Sequence, residues 1–117
     1  MSGARSYHAG LAAEEQVAQI YTRSGREVCA RRWRGSAGEI DLIARDGAEV
    51  IFIEVKQSKT HAQAAEHLTP RQMQRIYNTG SEFLAGEPRG QMTDVRIDVA
   101  LVDAQGRIEL LENAYAA

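Results

Sequence analysis

Glu39 and Asp41 are two residues apart in the segment GEIDLIAR, and Glu54 and Lys56 are two apart in EVIFIEVKQ. In extended chain, side chains two apart share a face, so each pair projects together while Ile40, Leu42, Ile53 and Val55 point the other way. Asp46-Gly47, between the two segments, is a tight-turn signal that makes them an antiparallel hairpin. Counting outward from that turn places Asp41 opposite about Phe52 and Glu39 opposite about Glu54. Glu39, Asp41, Glu54 and Lys56 then gather on one face near one end of a sheet.

Ionised groups rarely enter an interior unless they pair or bind a metal. Carboxylate oxygens are hard ligands suited to Mg²⁺ or Mn²⁺, ions that keep several waters and take one or two carboxylates. With a phosphodiester as substrate, such an ion polarises the phosphoryl oxygen and lowers the pKa of an attacking water. An adjacent amine orients that water or meets the developing charge. Lys56 suits this role: of the 14 cationic residues twelve are Arg, and only Lys56 and Lys59 are Lys. A compact, titratable ammonium inside a strand differs from a planar guanidinium that stays charged. Taken alone, an E-x-K pair is a weak motif that also describes a solvated strand face or a simple ion pair.

The elements that must position these groups are legible in outline. Gly10, Glu14, Val17 and Tyr21, beside Ala13 and Ile20, have helical spacing, and Ser24-Gly25 supplies a stop. Glu14 therefore lies inside or at the edge of the buried stripe, with Glu15 turned further toward solvent. Three strands follow, at 27–33, 38–45 and 49–57. The nearly unbroken apolar run from Val50 to Val55 predicts a strand covered on both faces. The polar stretch 57–68 reads as a loop. Thr69-Pro70 opens a second helix, with Thr as N-cap and Pro at the first position. Its buried stripe is Met73, Ile76, Tyr77, Gly80, Phe83 and Leu84, and Gly86 and Pro88 close it. Two last strands, 94–102 and 107–111, complete an αβββαββ order, an α/β or α+β layered domain without internal repeat.

The 117 residues are one domain's worth, read as a single unit over 1–117. A formal net charge of −2 excludes a basic nucleic-acid coat or a polybasic membrane binder, but not a protein that meets phosphate through a local patch. The single cysteine, Cys29, excludes an intrachain disulfide and a thiolate metal cluster; it reads as a small core residue. No apolar run approaches the ~18 residues needed to span a bilayer, and no hydrophobic leader follows Met1. The expectation is a cytoplasmic protein with no membrane partner.

Asp41, twelve residues, Glu54, one residue and Lys56, preceded by a helix carrying Glu14, resembles the PD-(D/E)xK nuclease core. More closely, the chain resembles the YraN family of small bacterial proteins, predicted endonucleases related to archaeal Holliday junction resolvases. The resemblance covers nearly the whole chain: AEEQVAQIYTRSG, ARRWRGSAGEIDLIARDG, VIFIEVKQS, RIDVALVD and LLENAYAA. It implies a single-domain αβββαβ core of the restriction-endonuclease type, with a central mixed sheet flanked by helices. Asp41 and Glu54 would be the metal-binding carboxylates, Lys56 the catalytic lysine, Glu14 the helix acid completing the site and Glu39 an auxiliary. Mg²⁺ (or Mn²⁺) would be the cofactor. Family members often continue EVK with a further basic residue, whereas Gln57-Ser58-Lys59 follows here.

Arg23, Arg26, Arg31, Arg32 and Arg34 stand against one local acid, Glu27. With Trp33 among them, Arg31, Arg32 and Arg34 are candidates to hold a phosphate backbone while the indole stacks on a base. The plainer reading is an Arg-rich solvated edge with a half-buried Trp. Arg71, Gln72 and Arg75, at the start of the second helix, read mainly as an ordinary polar helix face, with phosphate contacts at the helix N-terminus as the alternative. His8, His61 and His67 have no metal-ligand spacing, Asp98 reads as a supporting or structural acid, and Tyr7, Tyr21 and Tyr77 as packing. The expectation is a metal-dependent endonuclease that hydrolyses DNA, including branched or Holliday-junction DNA. Two coordinated cuts at a four-way junction would require a symmetric homodimer. The rivals are a non-catalytic nucleic-acid-binding module with the same fold, and a protein–protein adaptor whose carboxylates merely pair with arginines.

Overall fold

A computed structural model describes the backbone of residues 3–115 and the side chains from residue 10 to 115. His8 and Tyr7 lie outside the described side chains. The elements are α1 (Gly3–Arg23), β1 (Glu27–Arg34), β2 (Glu39–Asp46), β3 (Glu49–Gln57), α2 (His61–Ala65), α3 (Pro70–Leu84), a 3₁₀ turn (Gly90–Met92), β4 (Val95–Val102) and β5 (Ile108–Leu111). The stretch expected as a loop thus contains a short helix. Thr60 caps it, its side chain accepting from the Gln63 N–H, and the buried Ala64 ties it down. The strands fall where the patterning puts them, within a residue at each end, and α3 opens at Pro70 as expected, whereas α1 begins at Gly3, ahead of the Gly10–Tyr21 stripe.

Five strands form one sheet in the order β1-β2-β3-β4-β5. Neighbours are antiparallel except β3 and β4, which run parallel and are joined by the α2–α3 crossover. The result is a mixed sheet in an α+β domain. Helix α1 covers one face, where Ala13, Val17, Ala18 and Tyr21 pack on Leu42, Ala44, Ile51, Ile53, Ala100 and Val102. Helices α2 and α3 cover the other, where Ala64, Met73, Ile76 and Leu84 meet Ile43, Val50, Phe52, Ile97, Val99 and Leu101. The middle strand is therefore buried on both sides, which is why Val50 to Val55 lacks alternation.

The hairpin register differs from the count made on the sequence. The turn residues are Gly47 and Ala48, with Asp46 opposite Glu49, so the turn is centred one residue later than expected. That displaces the partner of every residue by two, which preserves the face on which each side chain projects. The ladder runs to Leu42 opposite Ile53. One step further, Asp41 rather than Glu39 comes opposite Glu54.

Helix α1 ends at a chain reversal in which Gly25 takes φ +86° and the Arg26 N–H donates to the Tyr21 carbonyl. Helix α3 starts as expected: Pro70 follows Thr69, whose hydroxyl accepts from the Gln72 N–H at 3.1 Å. Gly80 lies where α3 crosses the sheet, and a Cβ there would collide with the Phe52 ring. Asp98, at 0% exposure, is structural. It accepts from the Tyr21 hydroxyl (2.7 Å), from Arg96 through two nitrogens (3.0 and 3.1 Å) and from the Asn113 N–H (2.9 Å).

Two stability predictions follow from these contacts. Gly80→Ala lowers stability by about 1–3 kcal/mol, although alanine is the better helix former, because the Phe52 contact outweighs propensity. Asp98→Ala costs about 3 kcal/mol by leaving Arg96 without its buried partner, whereas Tyr21→Phe costs about 1 kcal/mol. Urea midpoints at unchanged m-value check both.

Candidate active site

Where β2 and β3 part, the Asp41 side chain takes over from the backbone: Asp41 Oδ2 accepts from the Val55 N–H at 2.8 Å. This fixes the carboxylate against the strand that carries Glu54 and Lys56. Glu54 continues the row of Val50 and Phe52, and so enters the α3 side of the sheet, at 6% exposure. Burial, first, then the charge of Asp41 and a side-chain hydrogen bond shared with it, push its carboxyl up to about 8, against the pull of Lys56 and Arg75. Oε2 of Glu54 is buried without a hydrogen-bond partner.

Lys56 Nζ lies 3.7 Å from Glu54 Oε1. With its amide oriented to satisfy both neighbours, Gln72 of α3 accepts from Lys56 Nζ at 2.7 Å and donates to the His67 carbonyl at 2.6 Å. The Thr69 cap holds the Gln72 backbone as well, so the carbonyl that receives the ammonium is fixed from two sides. Arg75, one turn along, has its side chain against Gly38 and its charge felt at Glu54. Gln72 and Arg75 thus join the site from the helix face that sequence reading treated as ordinary polar surface. The sequence offers them only as phosphate contacts at a helix start, because their approach to Lys56 and Glu54 is set by how α3 crosses the sheet.

Glu14 arrives from α1. Desolvation raises its carboxyl above the usual range, with the charges of Asp41 and Glu39 adding to that and Arg32 opposing it. Both its oxygens are engaged by Arg32, at 3.0 and 3.1 Å. The structure therefore brings Glu14, Glu39, Asp41, Glu54 and Lys56 into one neighbourhood, with Glu14 held by a guanidinium.

The arginine-rich strand looks different once folded. Arg31 pairs with Glu15 (2.6 Å), Arg34 with Glu39 (3.2 Å) and Arg26 with Asp46 (3.2 Å), so acids from outside the arginine-rich segment meet the local excess of positive charge. Trp33 is half-buried, its ring set edge-on to Phe83 at 5.6 Å. Cys29 packs beside the core, where burial pushes its thiol up. His61 faces the β4–β5 turn, bonded to the Arg107 carbonyl at 2.8 Å. A groove of roughly 590 Å³, lined by residues including Tyr77, Arg96 and Tyr115, shares none of the acidic cluster.

A Mg²⁺- or Mn²⁺-type ion fits the donor set. Asp41 and the unpartnered oxygen of Glu54 are adjacent hard acceptors, and two carboxylates plus water are what such ions accept. An all-protein cage is not formed: among the described residues, no group of three or more His, Cys, Asp or Glu side chains converges on a metal site.

Comparison with known sequences places the chain among close relatives. It is 72% identical to a UPF0102 protein of Cereibacter sphaeroides over the full length of both chains. A UPF0102 protein of Ruegeria pomeroyi is 57% identical over 97% of this chain and 92% of its own. One of Dinoroseobacter shibae is 43% identical over 95% and 83%. The model described as "Uncharacterised protein family UPF0102" matches residues 13–102, the span that holds α1's buried stripe, the acidic cluster and the parallel β3–β4 pair. The chain belongs to the uncharacterised protein family UPF0102.

Proposed function

We propose that the protein is a metal-dependent endonuclease that hydrolyses DNA phosphodiester bonds, with branched or Holliday-junction DNA as its substrate class. The observation that carries this reading is the buried Glu54 oxygen without a partner, set beside Asp41 and Lys56. A carboxylate buried for structure alone is normally hydrogen-bonded, as Asp98 is. The resemblance of GEIDLIA and EVK to the YraN family of predicted endonucleases supports the same assignment.

Asp41 and Glu54 hold the ion, which when bound supplies Lewis-acid polarisation of the phosphoryl oxygen and an acidified water. Asp41 is held ready by the Val55 N–H. An ammonium carries three donors, and the Gln72 carbonyl takes one of them. The others address the attacking water or the charge that grows on the phosphate. Glu14 and Glu39 shape the potential around Asp41. Cutting both strands of a four-way junction brings two such domains together as a symmetric homodimer. No helix among the described residues is long and apolar enough to cross a membrane, and we assign the protein to the cytoplasm.

One observation favours a second reading, a nucleic-acid-binding module that keeps the fold without cutting: Arg32 occupies both oxygens of the helix acid Glu14.

Cleavage of labelled duplex, flap and four-way-junction DNA in Mg²⁺, Mn²⁺ or EDTA separates the two. The nuclease cuts only with metal, and Asp41→Asn and Lys56→Ala each slow it by roughly 100-fold or more, about 2.7 kcal/mol of barrier. Gln72→Ala slows it by roughly ten-fold. Metal-independent silence of a folded protein that still binds DNA selects the module. Glu54 also gives a metal test without substrate. Its raised carboxyl binds a proton more tightly folded than unfolded, so it stabilises the fold at pH 5 and loses that contribution as pH climbs toward 8. An ion must displace that proton. Mg²⁺ or Mn²⁺ therefore raises Tm more at pH 8 than at pH 5, and Glu54→Gln abolishes the difference. Equal metal shifts at both pH values, or retention of the difference in Glu54→Gln, would argue against a site at this carboxyl.

A further inference from the structure

The β1–β2 turn, Gly35-Ser36-Ala37-Gly38, is closed by the Gly35 N–H donating to the Gly38 carbonyl at 2.8 Å. Its other donors point at one carboxylate. The Ser36 N–H reaches Glu82 Oε2 at 2.7 Å and the Ser36 hydroxyl reaches Oε1 at 2.6 Å. The Ala37 N–H donates to the same group. Glu82 is exposed, at the C-terminal end of α3. Together the Ser36 hydroxyl, the Ser36 N–H and the Ala37 N–H hold its carboxyl below the usual range.

An exposed carboxylate is already well hydrated, and ordering a long Glu side chain costs rotamer entropy. Three converging donors nevertheless immobilise it, which is the chemistry of an oxyanion nest. Cations flank the turn: Arg34 opens it with an 80% exposed side chain, and the Arg75 side chain lies against Gly38. A solvent-open cavity of about 350 Å³ is lined by residues 34–39. Gly35 lets the carboxylate in, since a Cβ there would collide with Glu82 Oε2. The turn leads directly into β2, and Ala37 precedes Asp41 by four residues, at most roughly 13 Å of extended chain.

We propose that the Gly35–Gly38 turn is a phosphate-binding nest for the nucleic-acid backbone, held shut by Glu82 until a phosphate displaces it. The proposal rests on the nucleic-acid reading and names a contact point for it. A backbone phosphate presents the same acceptor oxygens as the carboxylate, and Arg75 and the Glu39-paired Arg34 bring positive charge to the turn. Substrate binding would release the end of α3 from the turn.

The experiment records the Ser36 and Ala37 amide resonances of full-length protein during titration with inorganic phosphate and, separately, with a short oligonucleotide in EDTA. Wild type and Glu82→Ala are compared, with Glu82→Gln in reserve should the alanine variant lose its fold. Fluorescence anisotropy on labelled DNA runs in parallel. The nest predicts that both amides move with phosphate and with oligonucleotide in Glu82→Ala. DNA affinity rises about three- to ten-fold over wild type and falls more steeply with salt, by about one further phosphate contact. DNA binding with both amides unmoved overturns the nest alone, and leaves Glu82 as a tie between turn and helix. Movement with phosphate but not with bound oligonucleotide overturns the backbone assignment. Absence of oligonucleotide binding by every variant overturns the nucleic-acid reading, and this assignment with it.

Discussion

A strand buried on both faces has no solvated side on which to place a charge, and β3 ends in a carboxyl group and an ammonium. The arrangement around the site follows from that constraint. Glu54 continues the row of Val50 and Phe52 under α3, so its charge must be met by groups from other elements. Asp41 approaches because β2 parts from β3 there and its side chain replaces a ladder acceptor. Lys56 is turned toward Gln72 by a helix that reaches the same end of the sheet. A desolvated ionised group is stable only with such partners, and here the partners bring unlike charges together at one sheet end.

Two buried acids in this fold are provisioned in opposite ways. Asp98 receives donors from Tyr21, Arg96 and Asn113 and binds helix, strand and C-terminal segment together. Glu54 keeps one oxygen without any donor and lies next to a second carboxylate. The first arrangement lowers the energy of the ionised acid in place. The second leaves it strained unless a proton or a cation arrives, which is the behaviour expected of a group that does work on a ligand. Burial alone does not separate the two acids; their hydrogen-bond inventories do.

Much of this architecture was legible in the chain. The two-residue spacing of Glu39/Asp41 and Glu54/Lys56, with the intervening turn, was enough to bring the four side chains to one sheet end. The error of one residue in the turn centre did not matter to the face, because register moves in steps of two. The Thr69-Pro70 start of α3 was equally readable, being a matter of local hydrogen bonds and a fixed φ. The short α2 was not, since its three alanines in five residues give no period to detect. The partners of Gln72, Arg75 and Glu82 were hidden for a different reason: each meets a residue 16 or more positions away, through a helix crossing that no local pattern encodes. The arginine run misled in the same way. Local counting found one acid beside five arginines, whereas folding delivers Glu14, Glu15, Glu39 and Asp46 to them.

The parallel pairing of β3 with β4 has a consequence in time. Val50 pairs with Val95, 45 positions later, whereas β2 and β3 join through a two-residue turn. Contacts so distant in sequence close late, after the local hairpin. A nascent chain that has emerged only through Gln57 already carries Asp41, Glu54 and Lys56. It does not yet carry Gln72 to receive the ammonium, or α3 to exclude water from Glu54. The chemistry of the cluster is thereby made conditional on completion of the crossover, and an unfinished chain holds the acids without the dry, fixed frame that gives them their properties.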